Sequence, residues 1–337
     1  MGKVSFPVYN LANLELSSLL FRIFSYILDI TTWEFYFRYF TNLQKTEKEA
    51  RDMKLLNSCK QSITDCLQNK TFSIAHLYSD EKPMDMHIHD SYEIYYSISG
   101  GKQFLIDNCF YNIFPGDIFF INQYESHHLT QIDSQIHERI ILSIYPDYVK
   151  SLSTSNTDLD ACFQNRSLRS NHKVSLTLEE QKNFLYYIHK LTHTAGYGTD
   201  ILEQAAFLEL MVFLNKRFQK NHIADTETQI NSNAQVDSIL SYINQHIEEP
   251  LSLEQLSAHF FISSSYLCRL FKSATGTTIN KYITAKRISH AKELLAEGYT
   301  VTEASAKCGF NDYSNFFKAF TRATSVSPKK YAQFLTQ

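Results

Sequence analysis

One small motif occurs twice between Ser252 and Tyr331, and no other feature limits the local fold as tightly. Leu251–His259 reads Leu-Ser-Leu-Glu-Gln-Leu-Ser-Ala-His, and Tyr299–Lys307 reads Tyr-Thr-Val-Thr-Glu-Ala-Ser-Ala-Lys. Leu253 falls on Val301, Ser257 on Ser305 and Ala258 on Ala306. After one extra residue in the second copy, Arg269 falls on Lys318, Phe271 on Phe320, Thr275 on Thr324 and Tyr282 on Tyr331. Apolar, basic and capping positions keep register together, which marks a duplicated structural unit.

Each copy opens with a capping box, Ser252-x-x-Gln255 and Thr300-x-x-Glu303, so each begins a helix. Small residues follow at Ser257-Ala258 and Ser305-Ala306. Then come a tight turn (Phe261-Ile262-Ser263; Gly309-Phe310-Asn311) and a second helix. That helix carries the apolar stripe Leu267, Leu270 and Phe271, or Phe316, Phe317 and Phe320. Small residues on the first helix let the second cross it closely, as in a helix-turn-helix. The second helix of such a pair can lie in the DNA major groove. With the stripe turned inward, the 3.6-residue period sends Ser264, Ser265, Cys268, Arg269 and Lys272 outward in copy one. In copy two it sends out Tyr313, Ser314, Asn315, Lys318 and Arg322. Arg and Lys suit guanine edges or phosphates, Asn suits adenine, and hydroxyls suit phosphate. Between the copies, Asn280–Glu297 reads as one long helix with Tyr282, Ile283, Ile288, Ala291, Leu294 and Leu295 inward, a stiff spacer for two readers. An all-helical domain without DNA contact is the plainer alternative.

Over about Val236–Phe334 the sequence resembles the AraC/XylS transcription regulators. The residues that carry this are Leu253-Glu254-Gln255-Leu256, Tyr266-Leu267-Cys268-Arg269-Leu270-Phe271-Lys272, Thr275-Gly276, Arg287, Ala291, Leu294-Leu295, Cys308-Gly309-Phe310, Phe316-Phe317-Lys318-Ala319-Phe320, Ser327-Pro328 and Tyr331. The resemblance implies two recognition helices reading successive major-groove segments of double-stranded DNA. It departs at Ser257 and Ser305 (usually Ala), Ala304 (usually larger) and Ser325 (usually Gly), changes that soften packing in the second motif.

Charge follows the same division. The chain's net charge is −3, but from Ala234 onward there are 11 Lys/Arg against 8 Asp/Glu, a formal +3. A basic excess on the repeat-bearing part is what phosphate binding requires. The 6 cysteines (59, 66, 109, 162, 268 and 308) show neither disulfide pairing nor metal spacing, which suits a reducing cytoplasm. No uncharged apolar run of about 18 residues predicts a membrane span.

Residues 1–52 are apolar and aromatic over Leu14–Phe40 but broken by Glu15, Arg22, Asp29, Glu34 and Arg38, neither a signal peptide nor a span. They read as an extra amphipathic helical segment. A native start at Met53 is the other reading, since Lys48-Glu49-Ala50 can be encoded by a ribosome-binding sequence. Met53–Gln68 reads as helix. From Phe72 the period becomes that of strands, at Phe72–Tyr78, Tyr92–Ile98, Lys102–Asp107, Cys109–Ile113, Asp117–Ile121 and Glu138–Ile144. The order His87-x-His89-x-x-x-Glu93, Gly100, Pro115-Gly116-Asp117, His127 resembles a cupin-like sensor domain. In a strand His87, His89, Glu93 and Tyr95 share one face. With His127 they supply three imidazoles and one carboxylate, a metal-cupin ligand set. Against a metal, Asn122 and Tyr124 stand where that motif has Pro and Gly. A metal centre, a metal-free small-molecule pocket and a satisfied polar core remain open, the pocket being preferred. His128 and His137 read as surface or strand-edge residues. Tyr92, Tyr95, Tyr96, Phe104, Phe110, Tyr111, Phe119 and Phe120 suit either sugar stacking or core.

Thr177–Thr194 and Thr199–Asn221 read as two amphipathic helices. Phe184, Leu185, Ile188 and Leu191 face inward on the first, and Ile201, Ala205, Leu208, Leu210, Met211 and Leu214 on the second. The resemblance implies that they dock the barrel and form a homodimer interface. Ile223–Gln235 is polar and reads as a linker. The expected fold is therefore α+β and multidomain. A helical extension (1–69) precedes a cupin-like β-barrel with two dimerisation-type helices (70–222), a linker (223–235) and an all-α double helix-turn-helix domain (236–334). No catalytic constellation or phosphate-cradling loop stands out, so neither an enzyme nor a cofactor is expected. The function expected is a cytoplasmic DNA-binding regulator, an activator by the family's commoner behaviour. A small-molecule effector, sugar-like among other possibilities, would sit at His87, His89, Glu93, Tyr95 and His127, and RNA polymerase would be a partner. A metal-dependent cupin enzyme fused to a DNA-binding module, and a ligand-independent dimeric regulator, are the alternatives.

Overall fold

The computed structural model describes residues 55–56, 58–79, 86–101, 103–131, 137–164, 172–221 and 234–335. The readings made for 1–52, for a start at Met53 and for most of the 223–235 linker lie outside those residues.

Two sheets build the first half. One has six strands in the order β1-β2-β8-β3-β6-β9, formed by β1 (Leu55–Leu56), β2 (Phe72–Ser79), β8 (His137–Ile144), β3 (Tyr92–Ser97), β6 (Asp117–Ile121) and β9 (Lys173–Ser175). The other runs β5-β4-β7, from β5 (Cys109–Asn112), β4 (Gln103–Ile106) and β7 (His127–Gln131). Ala75, Leu77, Tyr95, Phe119, Ile121 and Ile141 of the first sheet pack against Phe104, Ile106 and Tyr111 of the second as one core. Gly100 and Gly116 turn the chain with φ of 83° and 86°, a conformation in which glycine carries no Cβ penalty.

Period-two alternation divides the aromatic residues between two faces. Tyr95, Phe104, Tyr111 and Phe119 fill the interior. Tyr92 instead stacks on Phe163 at 4.3 Å, Tyr96 meets Phe184 at 4.5 Å, and Phe120 meets Phe218 at 5.5 Å. Of the two readings open for these rings, sugar stacking or core, the structure has them as core on both sides of the sheet.

Leu55-Leu56 corrects the expected helix from Met53: it pairs in parallel with Ile74-Ala75. Ser58 then caps α1 (Cys59–Asn69). Ser62 Oγ of α1 donates to Ser73 O and lies 3.0 Å from Ser143 Oγ, so this helix belongs to the sheet rather than to a separate extension. After α2 (Pro146–Ser151) and α3 (Ala161–Gln164) come α4 (Leu178–Thr192) and α5 (Thr199–Asn221). Phe184, Ile188, Leu191, Leu210, Met211 and Leu214 are buried. Ile201 and Ala205 are exposed, against expectation; Ala206 and Phe207 point inward instead.

The second half is all helix: α6 (Ala234–Gln245), α7 (Leu253–His259), α8 (Ser264–Thr275), α9 (Ile279–Ala296), α10 (Val301–Lys307), α11 (Tyr313–Thr324) and α12 (Pro328–Leu335). Ala234-Gln235 therefore belongs to α6, not to a linker. Both capping boxes form. Leu256, Leu267 and Phe271 pack with Tyr282 and Ile283 of α9. Phe316 and Phe320 pack with Ile288, Ala291, Leu294 and Leu295 of the same helix, so α9 is the shared wall of two helix-turn-helix units. Phe317, expected inward, is 39% exposed. No helix of the described residues is long and apolar enough to cross a membrane.

Candidate ligand site and nucleic-acid interface

His87 and His127 form a β-bridge, with mutual backbone hydrogen bonds of 3.3 and 3.1 Å. That bridge brings the ring of His127 to 4.2 Å from His87 and 4.8 Å from His89. One ligand-type nitrogen from each of the three lies within 4.8 Å of the others. Glu93 Oε2 on β3 reaches His89 Nε2 at 3.1 Å and His127 Nε2 at 3.9 Å. Cys59 Sγ of α1 approaches the same oxygen at 3.9 Å. Tyr95 continues this face of β3 and packs among Phe104 and Phe119.

The far sides of two of the three imidazoles are fixed. His89 Nδ1 lies 2.9 Å from Ser91 O, and His127 Nδ1 lies 2.9 Å from Glu125 O. A carbonyl only accepts, so both Nδ1 atoms carry hydrogen. Burial by itself would raise the Glu93 carboxyl, but hydrogen bonding to His89 and the nearby imidazoles hold it at about 2. Burial lowers His127 to about 4, partly offset by Glu93. At neutral pH the cluster contains a carboxylate and a neutral His127.

The opposite face of the same segment meets the helical half. Met86 and Ile88 alternate with the two histidines, and each packs against one helix-turn-helix core. Asp90 Oδ1 accepts from Lys292 Nζ at 2.6 Å and from Tyr331 O–H at 2.9 Å. Lys292 also lies over the rings of Tyr124 and Tyr331, 5.6 and 5.4 Å from their centroids. Ser289 Oγ donates to Tyr124 O, and Tyr124 N donates to His89 O at 3.0 Å. On the β4–β5 turn, Asp107 pairs with Lys286 and accepts from Tyr282 O–H through its carbonyl at 3.1 Å. His128, beside His127, donates from Nε2 to Thr275 O. Both His128 and His137 are buried, correcting the surface reading; His137 Nδ1 lies 3.1 Å from Gly100 O.

Sequence reasoning missed Asp90, Asp107, Tyr124, Lys286, Ser289 and Lys292. One signal was available: Met86 and Ile88 in alternation with His87 and His89 imply that both faces are covered.

The expected DNA-facing residues fall on α8 and α11. Ser265, Arg269 and Lys272 are exposed, with Ser264 and Cys268 half-buried. Tyr313, Ser314, Asn315, Lys318 and Arg322 are all exposed. Ser264 Oγ donates to Ser257 Oγ, a bond an Ala at 257 could not accept. Asn315 Nδ2 donates to Asp312 Oδ2. Of the basic residues in this half, Lys286, Arg287 and Lys292 are engaged internally; Arg287 donates to Ile247 O and Glu249 O.

The profile of the family described as AraC-like ligand binding domain matches residues 72–211, and that of a helix-turn-helix domain matches 256–333. The HTH-type transcriptional activator RhaR of Escherichia coli K12 is 23% identical over 268 residues, covering 77% of this chain and 92% of that protein. This chain belongs to the AraC/XylS family of transcription regulators. A second RhaR, from Shigella boydii, is 22% identical with the same coverage. Among solved structures, ToxT from Vibrio cholerae O395 is similar at 16% identity over 79% of this chain and 99% of that one, with a TM-score of 0.33. The C-terminal domain of AraT, a response regulator from Geobacillus stearothermophilus, is similar at 27% identity over 32% of this chain and 88% of that one, with a TM-score of 0.30. In this AraC/XylS chain the ligand-binding region runs from β2 into α5 and the helix-turn-helix region from α7 into α12.

Proposed function

We propose that this DNA-binding regulator senses an effector at His87, His89, Glu93 and His127 and transmits its presence through the segment 86–90, which enters β3. One observation supports this above the rest: along residues 86–90, alternate side chains face the imidazole cluster and the helix-turn-helix cores. A shift that reorients His87 or His89 therefore moves Met86, Ile88 or Asp90. Docking leaves Arg269 and Lys318 exposed, so control would act by favouring one arrangement of the two halves, not by covering the readers.

In this reading the sensor comprises β1 through α5 and the reader α6 through α12. Arg269, Lys272, Lys318 and Arg322 contact bases or phosphates; Ser264, Ser265, Cys268, Tyr313, Ser314 and Asn315 complete the surface. Exposed Tyr186, Ile201 and Leu202 on α4 and α5 support a homodimer through these helices. The relatives' printed role supports activation, and an activator of this kind would have RNA polymerase as its partner. A sugar-like effector keeps support from the polar cluster alone, because the aromatic rings are core.

Chromatin immunoprecipitation sequencing of the tagged protein in its host tests the reading. The expected result is discrete peaks sharing a two-part motif, its parts about 10 bp apart. No enrichment in any growth condition, together with no selection of a motif from random DNA by purified protein, would overturn it.

A further inference from the structure

Asn315 stands in the first turn of α11, and its amide is held in one orientation. Asp312 precedes that helix, and its two carboxylate oxygens accept different bonds. Oδ1 accepts from Asn315 N at 2.8 Å and caps the helix; Oδ2 accepts from Asn315 Nδ2 at 2.6 Å. A carboxylate only accepts, so the NH2 group of Asn315 faces Asp312 and its Oδ1 is turned away. The cap alone does not require a carboxylate. Ser263, at the equivalent place before α8, caps with a neutral hydroxyl that accepts from Tyr266 N at 3.3 Å. An anion on a surface that approaches phosphate is repelled by it, so the second oxygen of Asp312 needs a reason of its own. Asn315, Lys318 and Arg322 are exposed and share one stripe of α11, opposite buried Phe316 and Phe320. Asn315 is the end of that stripe nearest the helix N-terminus, where reading helices contact base edges.

We propose that Asp312 is a positioning residue that fixes the Asn315 amide to read adenine in the major groove. The inference rests on α11 being a reading helix, as proposed above. An amide has two N–H donors and one carbonyl acceptor. With one N–H held by Asp312, one donor and Oδ1 remain. Adenine presents one acceptor, N7, and one donor, N6–H2, and so takes both. Guanine presents two acceptors, N7 and O6. A free amide can turn its NH2 group toward that edge; the tied one cannot, and the Asp312 carboxylate adds repulsion there. Fixing the side chain beforehand also lowers the ordering entropy that binding costs. Copy one has Tyr266 at the aligned position, and a single phenolic oxygen does not span N6 and N7 as an amide does. The adenine preference therefore belongs to one part of the two-part site.

The test selects sites from random DNA with the full chain, wild type and Asn315→Ala. Affinity is then measured for the selected site and its three single-base replacements at the position where the two selections differ. Wild type should carry adenine there, in one part of the motif only, and bind it about tenfold or more above guanine. Asn315→Ala should bring the four sequences nearly level. Asp312→Asn keeps a good cap but puts an NH2 group where Oδ2 accepted. Loss of the charge should raise affinity for all four sequences alike. Loss of the tie should also lower the adenine-to-guanine ratio about threefold or more, half of that discrimination on a logarithmic scale. Asp312→Ser, which caps as Ser263 does, should behave the same way and decides if the Asn variant fails to fold by circular dichroism. A ratio unchanged in the folded Asp312 variants would overturn the inference, since a cap or a charge acting alone moves all four sequences together. So would a base other than adenine at that position, or a motif that Asn315→Ala leaves unaltered; each of these outcomes leaves the regulator standing. Selection of no motif by wild type would overturn the reading helix itself, and the inference with it.

Discussion

At Gly309 an added Cβ would stand 2.3 Å from Ile247 O, with the backbone at φ 79°. Gly309→Ala is therefore expected to cost about 2–4 kcal/mol in urea denaturation, from left-handed strain plus overpacking. Ser325 holds the equivalent left-handed cap position in the second motif that Gly276 holds in the first, at φ 61° and 72°. Ser325→Gly should stabilise by about 0.5–1 kcal/mol, read as a raised melting temperature. A third residue sets a pH dependence. His290 lies 3.1 Å from Glu248 and 3.6 Å from Glu293. Hydrogen bonding to Glu293 raises its pKa, and the charges of both carboxylates add to this. Its contribution is complete below the unfolded value of about 6.5 and is lost as pH rises through the higher folded value. Unfolding free energy should fall across that window, and His290→Gln should flatten the profile. The convergence of His87, His89 and Glu93 was legible in their spacing, although the expected strand over them begins only at Tyr92, and His87 is held by its bridge to His127. The buried places of His128 and His137 were not, because their acceptors, Thr275 O and Gly100 O, are distant in sequence.

Among the elements, α8 and α11 carry the reading surface. Arg269 stands exposed midway along α8 with Phe271 and Leu267 anchoring the opposite side. Arg269→Ala should weaken specific DNA binding by about 1–3 kcal/mol while melting is unchanged. Footprints and affinity equal to wild type would remove it from the reading set. The capped helices were legible because Ser252 and Thr300 announce their starts and the apolar stripe gives their phase. The strand β9 and the helices α2 and α3 were not, being short and dependent on partners elsewhere, as β9 is on β6; β7 was not, because His127-His128-Leu129-Thr130-Gln131 carries a single aliphatic residue and no apolar alternation. Leu55-Leu56 misled for a related reason, since two residues cannot reveal a period and Ser58 restarts the chain as helix.

For the whole molecule, the two halves meet through apolar contacts of Met86, Ile88, Leu105 and Phe110 and through charged and hydroxyl groups that no hydrophobic pattern exposes. Lys292 is 2% exposed and depends on Asp90 at 2.6 Å. Asp90→Ala leaves that ammonium buried without its carboxylate, and the docked arrangement should lose about 2–4 kcal/mol. Calorimetry should then resolve separate melting of the barrel and helical halves where wild type melts as one unit. The double use of α9 has a consequence for protein engineering. The rod that spaces the readers also presents Lys286, Ser289 and Lys292 to the barrel. A chimera that grafts this barrel onto another family member's reader would bind its own operator yet ignore the effector, until those three side chains travel with the graft.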